Sequence, residues 1–420
     1  MKKLSAILFL FAFAMTLHAQ DAVTTLAGQA LVSGAVNGTG TNAAFGDPAA
    51  VVADAKGNLF VADSQNHAIR KITTNGVVTT FAGQLGVAGS ANGTGTGAHF
   101  DSPCGLAFDQ GGNLYVGDTG NGLIRKITSA GAVTTLAGVV GSSGFVNGAA
   151  ASAQFNAPLG IAVAPNGAVF VADSGNHCIR KISGGVVSTF AGSPQVWGSA
   201  DGKGTAAQFN GPVGLAFDQR TNLFVGDANN DTIRKIAPDG TVTTFAGAAG
   251  LDGAADGDLS FARFRNPAEL AFDPKGNLFV ADSLNQTVRK ISTNGIVSTV
   301  CGVAGICGPD DGVNGAGRFF NPYGLVVAAD GSLRVADTYN ELVRTVLVPF
   351  HLSLQMTGAG TAATISWDAV IGKTYQAQFK TDLAAAWTNL GAPLTATNLT
   401  LSATDNVPGQ QRVYRVLVLP

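Results

Sequence analysis

The sequence predicts an all-β protein, a six-bladed β-propeller followed by a small β-sandwich. Three observations lead to that prediction. Gly accounts for 56 of the 420 residues, and charged residues make up only 12% of the chain, while 46% of the residues are hydrophobic. Short runs rich in Val, Thr, Ile and Phe alternate with Gly and Asn turns, which is typical of strands joined by hairpins. Three separate sequence markers recur with one period of 54 or 55 residues.

The first marker is an Asp followed seven residues later by an Arg. The pairs are Asp63/Arg70, Asp118/Arg125, Asp173/Arg180, Asp227/Arg234, Asp282/Arg289 and Asp337/Arg344. The second marker is the Gly that closes a Thr-rich run, at Gly28, Gly83, Gly138, Gly192, Gly247 and Gly302. The third marker is Asn-Gly or Asp-Gly eight residues before a Phe, and it begins at Asn37, Asn92, Asn147, Asp201, Asp256 and Asp311. Three markers that share one period establish an internal repeat.

Each repeat contains four strand patterns. In the second repeat they cover 105–109, 114–118, 123–127 and 133–138, separated by Gly- and Asn-containing turns. Four antiparallel strands repeated around a ring form the blades of a propeller. The Asn-Gly and Asp-Gly signals lie in long connections between the fourth strand of one blade and the first strand of the next, where they predict a hairpin turn.

The first and last repeats are complementary. The sixth repeat stops after its third strand, near Val346, and the chain begins with a fourth strand over 23–28. The sequence therefore predicts that this N-terminal strand completes the sixth blade and closes the ring. Closure removes the open sheet edges that favour aggregation.

One motif resembles a known repeat. Pro-x-Gly-Leu-Ala-Phe-Asp, followed by Gly-Asn-Leu-Phe-Val-Ala-Asp-Ser-x-Asn-His-x-Ile-Arg-Lys-Ile, is similar to the NHL repeat over residues 23–346. The resemblance implies a six-bladed propeller. NHL-type propellers include ligand-binding sensors, RNA-binding modules, amidating lyases and relatives of lactonases, so the resemblance does not select one function.

The flanking segments predict export and a second domain. Residues 1–19 have the pattern of a signal peptide, with Lys2 and Lys3 before an apolar stretch too short to span a bilayer and a cleavage point after Ala19; a buried N-terminal helix is the alternative. The propeller is expected over 20–348. Residues 349–420 alternate apolar and polar residues and predict a β-sandwich, similar to fibronectin-III or immunoglobulin-like modules. The expected location is secreted, either periplasmic or extracellular.

Charge and motifs narrow the function. The net charge of −2 argues against binding of nucleic acid, and no later run is apolar enough to predict a membrane span. The sequence holds no nucleophile elbow, no phosphate-binding loop and no His-rich metal motif, so no cofactor is expected. We expect a monomeric, non-catalytic protein that binds a protein, a glycan or a small ligand. The alternative is a metal-assisted lyase or lactonase-like hydrolase that acts in the central channel.

Candidate site residues are sought where one blade differs from the others, because a residue shared by every blade is expected to be structural. Glu269 occupies a position that holds Gly or Ala in the other blades, and Trp197 lies in a long connection. Together with Phe145, His67 and His177 they are the candidate ligand-binding residues, expected on the face that carries the long connections. The alternatives are a solvated or Arg-paired Glu269 and a Trp197 that packs within its own loop.

The sequence contains four cysteines. Cys301 and Cys307 are close in sequence, and in an oxidising compartment they are predicted to form a disulfide. Cys104 and Cys178 belong to different blades and are expected to stay reduced or buried.

Overall fold

The computed structural model describes residues 17–18, 22–313, 315–348, 351–357, 362–369, 374–381, 386–398, 400–406 and 413–419. The chain divides into two compact units, 21–348 and a second unit formed by 1–20 with 349–420. Of the predicted signal peptide only Leu17–His18 is described, so that prediction lies almost entirely outside the described residues.

Unit 21–348 consists of six antiparallel sheets with the same strand order, which is a short edge strand followed by the fourth, third, second and first strands. Named in the order edge, first, second, third and fourth, the strands of sheets one to three are Gly38–Thr39, Pro48–Ala53, Leu59–Asp63, Ala68–Ile72 and Val77–Ala82; Gly93–Thr94, Pro103–Phe108, Leu114–Asp118, Leu123–Ile127 and Ala132–Ala137; Gly148–Ala149, Pro158–Val163, Val169–Asp173, Cys178–Ser183 and Val186–Ala191. Those of sheets four to six are Gly202–Lys203, Pro212–Phe217, Leu223–Asp227, Thr232–Ile236 and Thr241–Gly247; Gly257–Asp258, Pro267–Phe272, Leu278–Asp282, Thr287–Ile291 and Ile296–Gly302; Gly312–Val313, Pro322–Val327, Leu333–Asp337, Leu342–Leu347 and Ala22–Ala27. The all-β prediction is confirmed, and six such sheets are consistent with a propeller.

Short 3-10 segments connect the strands. They are Gly40–Asn42, Gly95–Gly97, Thr119–Asn121, Ser174–Asn176, Gly204–Ala206, Ala228–Asn230, Ser283–Asn285 and Thr338–Asn340.

The six first strands lie side by side around one axis. Each contacts the first strand of the next sheet, and Pro322–Val327 contacts Pro48–Ala53. The third residue of the first strand is Gly in four sheets, because a Cβ at Gly105 would overlap the carbonyl oxygen of Leu159, and one at Gly160 would overlap that of Val213. Glycine here allows the innermost strands to approach closely.

Sheet six is assembled from distant parts of the chain. Ala22–Ala27 pairs antiparallel with Leu342–Leu347, with Thr25 opposite Arg344. Val23 and Ala27 are buried. The fourth strand of this sheet therefore comes from the beginning of the described propeller.

The edge strands correct the prediction of four strands per sheet. In sheet two, Gly93 lies opposite Val133 and Thr94 opposite Ala132, at the start of the fourth strand. Gly95 then donates its N–H to the carbonyl oxygen of Gly131 at 2.9 Å, in the turn between the third and fourth strands. The long connection thus runs along the outer edge to the opposite end of the sheet, and the prediction that it lies on one face was wrong. The predicted Asn-Gly hairpin was also wrong, since Gly93 is a strand residue.

The repeated charges hold each long connection against its sheet. Asp118 and Arg125 are both fully buried, with 2.7 Å between Oδ2 and Nη1. Arg125 Nη2 also donates to the carbonyl oxygen of Ala91 at 3.1 Å and to Oδ1 of Asn92 at 3.0 Å. The ring of Phe100 lies 5.2 Å from the guanidinium carbon. Equivalent ion pairs are buried in all six sheets, so the first and third sequence markers belong to one structural network.

The described residues of the unit that contains 349–420 form two small antiparallel sheets. One has the order Leu17–His18, His351–Thr357, Ala362–Asp368, Thr400–Asp405; in the other, Thr374–Lys380 pairs with Thr388–Asn389, Leu394–Thr395 and Val413–Leu419. Trp367 of the first sheet and Tyr375 of the second share one buried cluster. Two sheets around a common core are consistent with the predicted sandwich, while the likeness to fibronectin-III modules stays a prediction.

Candidate functional site

The first strands enclose an axial cavity of about 300 Å³. Its walls are the third to sixth residues of those strands, and all six sheets contribute. Every lining side chain is Ala, Val, Leu, Ile or Phe except that of Glu269. The cavity is therefore an apolar space with one ionisable group.

Glu269 is the third residue of its first strand, the position held by Gly in four other sheets. Its Oε1 accepts a hydrogen bond from the N–H of Leu270 at 3.3 Å, and the N–H of Leu215, in the neighbouring first strand, also donates to this carboxylate. Burial raises the pKa of Glu269 to about 7, against the opposing effect of these two backbone donors, and no charged side chain contributes. The alternative of an Arg-paired Glu269 is wrong.

The cavity lies away from the end of the axis at which the long connections enter the first strands. The second residues of the first strands occupy the other end of the axis, where Val213 and Ala268 pack in one cluster with Leu159 and Tyr323. These residues do not line the cavity, which extends from Glu269 toward the turns between first and second strands. The expectation that Glu269 follows the long loops at the channel mouth is therefore corrected. Glu269 lines the part of the axis that is nearer to the turns between first and second strands, because apolar side chains pack together at the other end.

Two further titratable groups lie near this apolar end. Burial raises the pKa of Tyr323, and the negative charges that Cys104 and Glu269 carry when they are ionised act in the same direction. Burial also raises the pKa of the Cys104 thiol, whose sulfur lies 3.8 Å from Oγ of Ser64. Both groups are therefore neutral at physiological pH.

Trp197 lies in the turn after the fourth strand of sheet three, with 68% of its surface exposed. Most of its surface is therefore open to solvent and not covered by its own loop. The preceding residue, Val196, belongs to a set of exposed apolar residues that follow the marker Gly by four positions, namely Val32, Val87, Val196, Leu251 and Ile306. The backbone of Gln195 donates to the carbonyl oxygen of Asn176 at 2.8 Å, which places this turn beside the turn between second and third strands. We call this set, together with Trp197, the apolar rim.

Phe145 contributes to the structural network. Its half-buried ring lies 4.6 Å from the guanidinium carbon of Arg180, and the ring of Phe155 lies 5.0 Å from the same carbon. Arg180 is therefore held between two aromatic faces, an arrangement that stabilises a buried guanidinium.

His67 and His177 link neighbouring sheets. Nδ1 of His67 accepts the N–H of Ser102 at 3.1 Å, and Nδ1 of His177 accepts that of Gly211 at 3.1 Å. An Nδ1 that accepts carries no proton, and burial lowers the pKa of His177, consistent with a neutral ring. The same turn position holds Asp231, Gln286 and Glu341, which accept backbone N–H groups of Asn266, Asn321 and Asp47. Side chains that can accept a hydrogen bond recur at this turn position in the sequence. That recurrence is the signal from which the contact between neighbouring sheets could have been predicted.

The two cysteines predicted to form a disulfide lie in and just after one strand. Cys301 is buried at the end of the fourth strand of sheet five, and Cys307 is exposed opposite Phe319 in the following connection, so the disulfide stays a prediction. Among the described residues no three His, Cys, Asp or Glu side chains are grouped so that they could hold a metal ion. The described part of the chain also contains no helix with the length and apolar character needed to cross a membrane.

Comparisons with known proteins agree with the repeat. The NHL repeat family model matches residues 155–182. The chain is 31% identical over 276 residues to Protein SUPPRESSOR OF QUENCHING 1, chloroplastic, from Arabidopsis thaliana, covering 61% of this chain and 26% of that protein. It is 26% identical over 268 residues to human NHL repeat-containing protein 2, covering 55% of this chain and 37% of that protein. The chain thus spans well under half the length of these curated relatives.

Solved structures show the same fold at low identity. A Bacteroides thetaiotaomicron protein of unknown function has a TM-score of 0.62 at 20% identity, covering 79% of this chain and 76% of the other. An auxiliary nutrient binding protein from the same organism has a TM-score of 0.59 at 15% identity, covering 78% and 77%. A streptogramin B lyase has a TM-score of 0.50 at 11% identity, covering 78% and 98%. Unit 21–348 is thus similar to NHL-repeat proteins in sequence and to propeller-like proteins in fold.

Proposed function

We propose that this protein is an exported, non-catalytic propeller that binds a protein, a glycan or a small ligand through the apolar rim, with Trp197 as its main contact. The observation behind the proposal is the exposure of Trp197 beside Val196. Exposed apolar side chains grouped on one face are typical of an interaction surface. The likeness to a nutrient-binding propeller supports a binding role.

The turns that carry the apolar rim are rigid, and this rigidity favours ligand binding. These turns are held by backbone hydrogen bonds to the second-to-third turns, such as that from Gly86 N–H to the carbonyl oxygen of Asn66 at 2.9 Å. Side chains on a rigid scaffold lose little conformational freedom when a ligand binds. A Trp ring also offers a flat apolar face on which a sugar ring or an apolar side chain can stack.

The test screens immobilised oligosaccharide and peptide arrays with the wild-type protein and two variants. Trp197→Ser is expected to lose at least tenfold in affinity for the ligand found. Phe261→Ser is the matched control, because Phe261 is 61% exposed but follows the edge strand Gly257–Asp258, at the opposite end of its sheet. Equal binding by all three proteins, or no binding by the wild type, would contradict the proposal.

Ring closure belongs to the same proposal. Cleavage after Ala19 would leave Ala22–Ala27 in the exported chain, where this strand supplies the sixth sheet with its fourth strand and covers the edge of Leu342–Leu347. A chain that starts at Gln29 is expected to aggregate or to melt well below a chain that starts at Gln20, because it leaves an unpaired strand. Equal melting temperatures would show that the strand does not close the ring.

A further inference from the structure

The strongest unexplained feature outside the apolar rim is the carboxylate in the axial cavity. The repeat does not require it, since this position holds Gly105, Gly160, Gly214 and Gly324 in four sheets and Ala50 in another. In those sheets a small residue suffices for the strands to close around the axis. Glu269 therefore adds chemistry to the cavity that the fold does not need.

The surroundings of Glu269 leave its charge uncompensated. The other side chains that line the cavity are apolar, and among the described residues the polar contacts of Glu269 are the backbone N–H groups of Leu270 and Leu215. An ionised carboxylate has about four acceptor sites, so these two donors leave acceptor capacity directed at the cavity. A carboxylate without a counter-charge in an apolar space is costly, and a cation that enters the space removes that cost.

We propose that the axial cavity binds a small organic cation, an ammonium group with an apolar body, and that the ammonium group pairs with Glu269. The volume of about 300 Å³ lies at the lower end of the range for small-molecule sites. The Ala, Val, Leu and Phe walls suit an alkyl or aromatic body, and the three N–H groups of a primary ammonium suit the free acceptor sites of the carboxylate. This site goes beyond the proposed function, because it does not involve the apolar rim. It lies on the axis and extends toward the turns between first and second strands.

The binding should depend on pH with a defined sign. The pKa of Glu269 is raised to about 7, so the carboxylate is largely protonated at pH 6 and largely ionised at pH 8. The nearby titratable groups are Tyr323 and Cys104, whose pKa values are both raised, and they remain neutral through this range. An alkylammonium also keeps its charge there, so affinity should rise with pH as Glu269 ionises.

The experiment uses calorimetric titration of the full chain with benzylamine and butylamine, each compared with the alcohol of the same carbon skeleton. We expect the amines to bind at pH 8, the alcohols to bind at least tenfold more weakly, and amine affinity to fall about tenfold at pH 6, in line with the ionised fraction of a group that titrates near pH 7. Glu269→Gln should abolish the preference for amines. Asp239→Asn is the matched control, because Asp239 is an exposed carboxylate in the turn between third and fourth strands.

Several results would overturn the inference. They are the absence of amine binding by the wild type, equal binding of amines and alcohols, and full retention of amine affinity in Glu269→Gln. The last result would mean that Glu269 only satisfies the N–H groups of Leu215 and Leu270. Trp197→Ser should leave amine binding unchanged, so failure of this proposal and failure of the rim proposal are distinguishable.

Discussion

Charged side chains lie inside the sheets, where they are fully buried, and at the axis, where Glu269 is partly buried, and the two regions differ in how the charge is compensated. Inside the sheets, Arg125 has a carboxylate partner, backbone acceptors and an aromatic ring against it, and the same arrangement recurs in all six sheets. At the axis, the donors to Glu269 among the described residues are backbone N–H groups, and this carboxylate occurs in one sheet. The sheet charges are compensated and repeated, while the axial charge is neither.

The comparison shows how to separate structural from functional charge in a repeat protein. A buried ion pair that recurs in each repeat performs the same structural task each time, here the attachment of a long connection. A buried charge that occurs once cannot be required by the repeat. It is therefore the better candidate for a binding site, although it is less conspicuous in the sequence.

The largest effect is expected from breaking one repeated pair. Arg125→Met leaves Asp118 buried with donors from Asp101 and Asn121 but without its cation. Loss of one partner of a buried pair costs about 3–5 kcal/mol. Denaturant unfolding should show a fall of this size in the free energy of unfolding.

The control for Arg125→Met is Lys203→Met, which breaks an exposed pair with Asp239. Exposed pairs contribute about 0–1 kcal/mol. If the free energy of unfolding fell by the same small amount in both variants, the buried network would not be what holds the long connections. The comparison between the sheets and the axis would then fail.

The second prediction concerns the axis itself. In Gly105→Ala the new methyl group would overlap the carbonyl oxygen of Leu159 in the next first strand. Overpacking of this kind costs about 1–3 kcal/mol. Gly97→Ala is the control, because a Cβ at Gly97 meets nothing within 4 Å. Equal stability of the two variants in thermal unfolding would show that glycine is not required where the first strands meet.

The repeat explains why the sheets could be predicted so closely from the sequence. The second and third strands of sheet two were expected at 114–118 and 123–127 and are Leu114–Asp118 and Leu123–Ile127. Each boundary was indicated six times, once per repeat. The buried charges were likewise identified as structural because they recur.

The features that escaped prediction depend on few residues or on the third dimension. The edge strand Gly93–Thr94 is too short to show an alternating pattern, and Asn92 accepts from Arg125 instead of starting a turn. The cavity beside Glu269 extends toward one end of the propeller axis, and which end this is depends on where apolar side chains pack around the axis. Val213 and Tyr323 belong to one apolar cluster but come from different repeats, so this packing leaves no local signal in the sequence.

The third prediction concerns the two cysteines that interrupt the repeat. A Cys301–Cys307 disulfide would close a short loop and contribute roughly 2 kcal/mol. Alkylation of the unfolded protein, expressed in an oxidising compartment and kept free of reductant, followed by mass analysis, is expected to give two labels, on Cys104 and Cys178. Four labels would contradict the disulfide.

The smallest expected effect comes from the link between sheets in which Glu341 takes the position that neutral Gln286 holds in the adjacent sheet. Glu341 accepts the N–H of Asp47 at 2.6 Å, as Gln286 accepts that of Asn321 at 2.6 Å. Burial raises the pKa of Glu341 to about 7, and the carboxylates of Asp47 and Asp63 add to the shift. The folded state therefore binds this proton more tightly than the unfolded state, whose pKa is near 4.5.

It follows that Glu341 lowers the free energy of unfolding as pH rises from about 4.5 through about 7. Glu341→Gln keeps an oxygen that accepts the N–H of Asp47 and removes the charge. We expect the variant to gain on the order of 1 kcal/mol relative to wild type at pH 8 and nothing at pH 4, after allowance for partial solvent screening. Denaturant unfolding at both pH values measures the difference. An equal gain in the free energy of unfolding at pH 4 and pH 8 would show that the folded protein already compensates the charge of Glu341. Among the residues compared, Glu269 would then be the one carboxylate whose charge has no compensation.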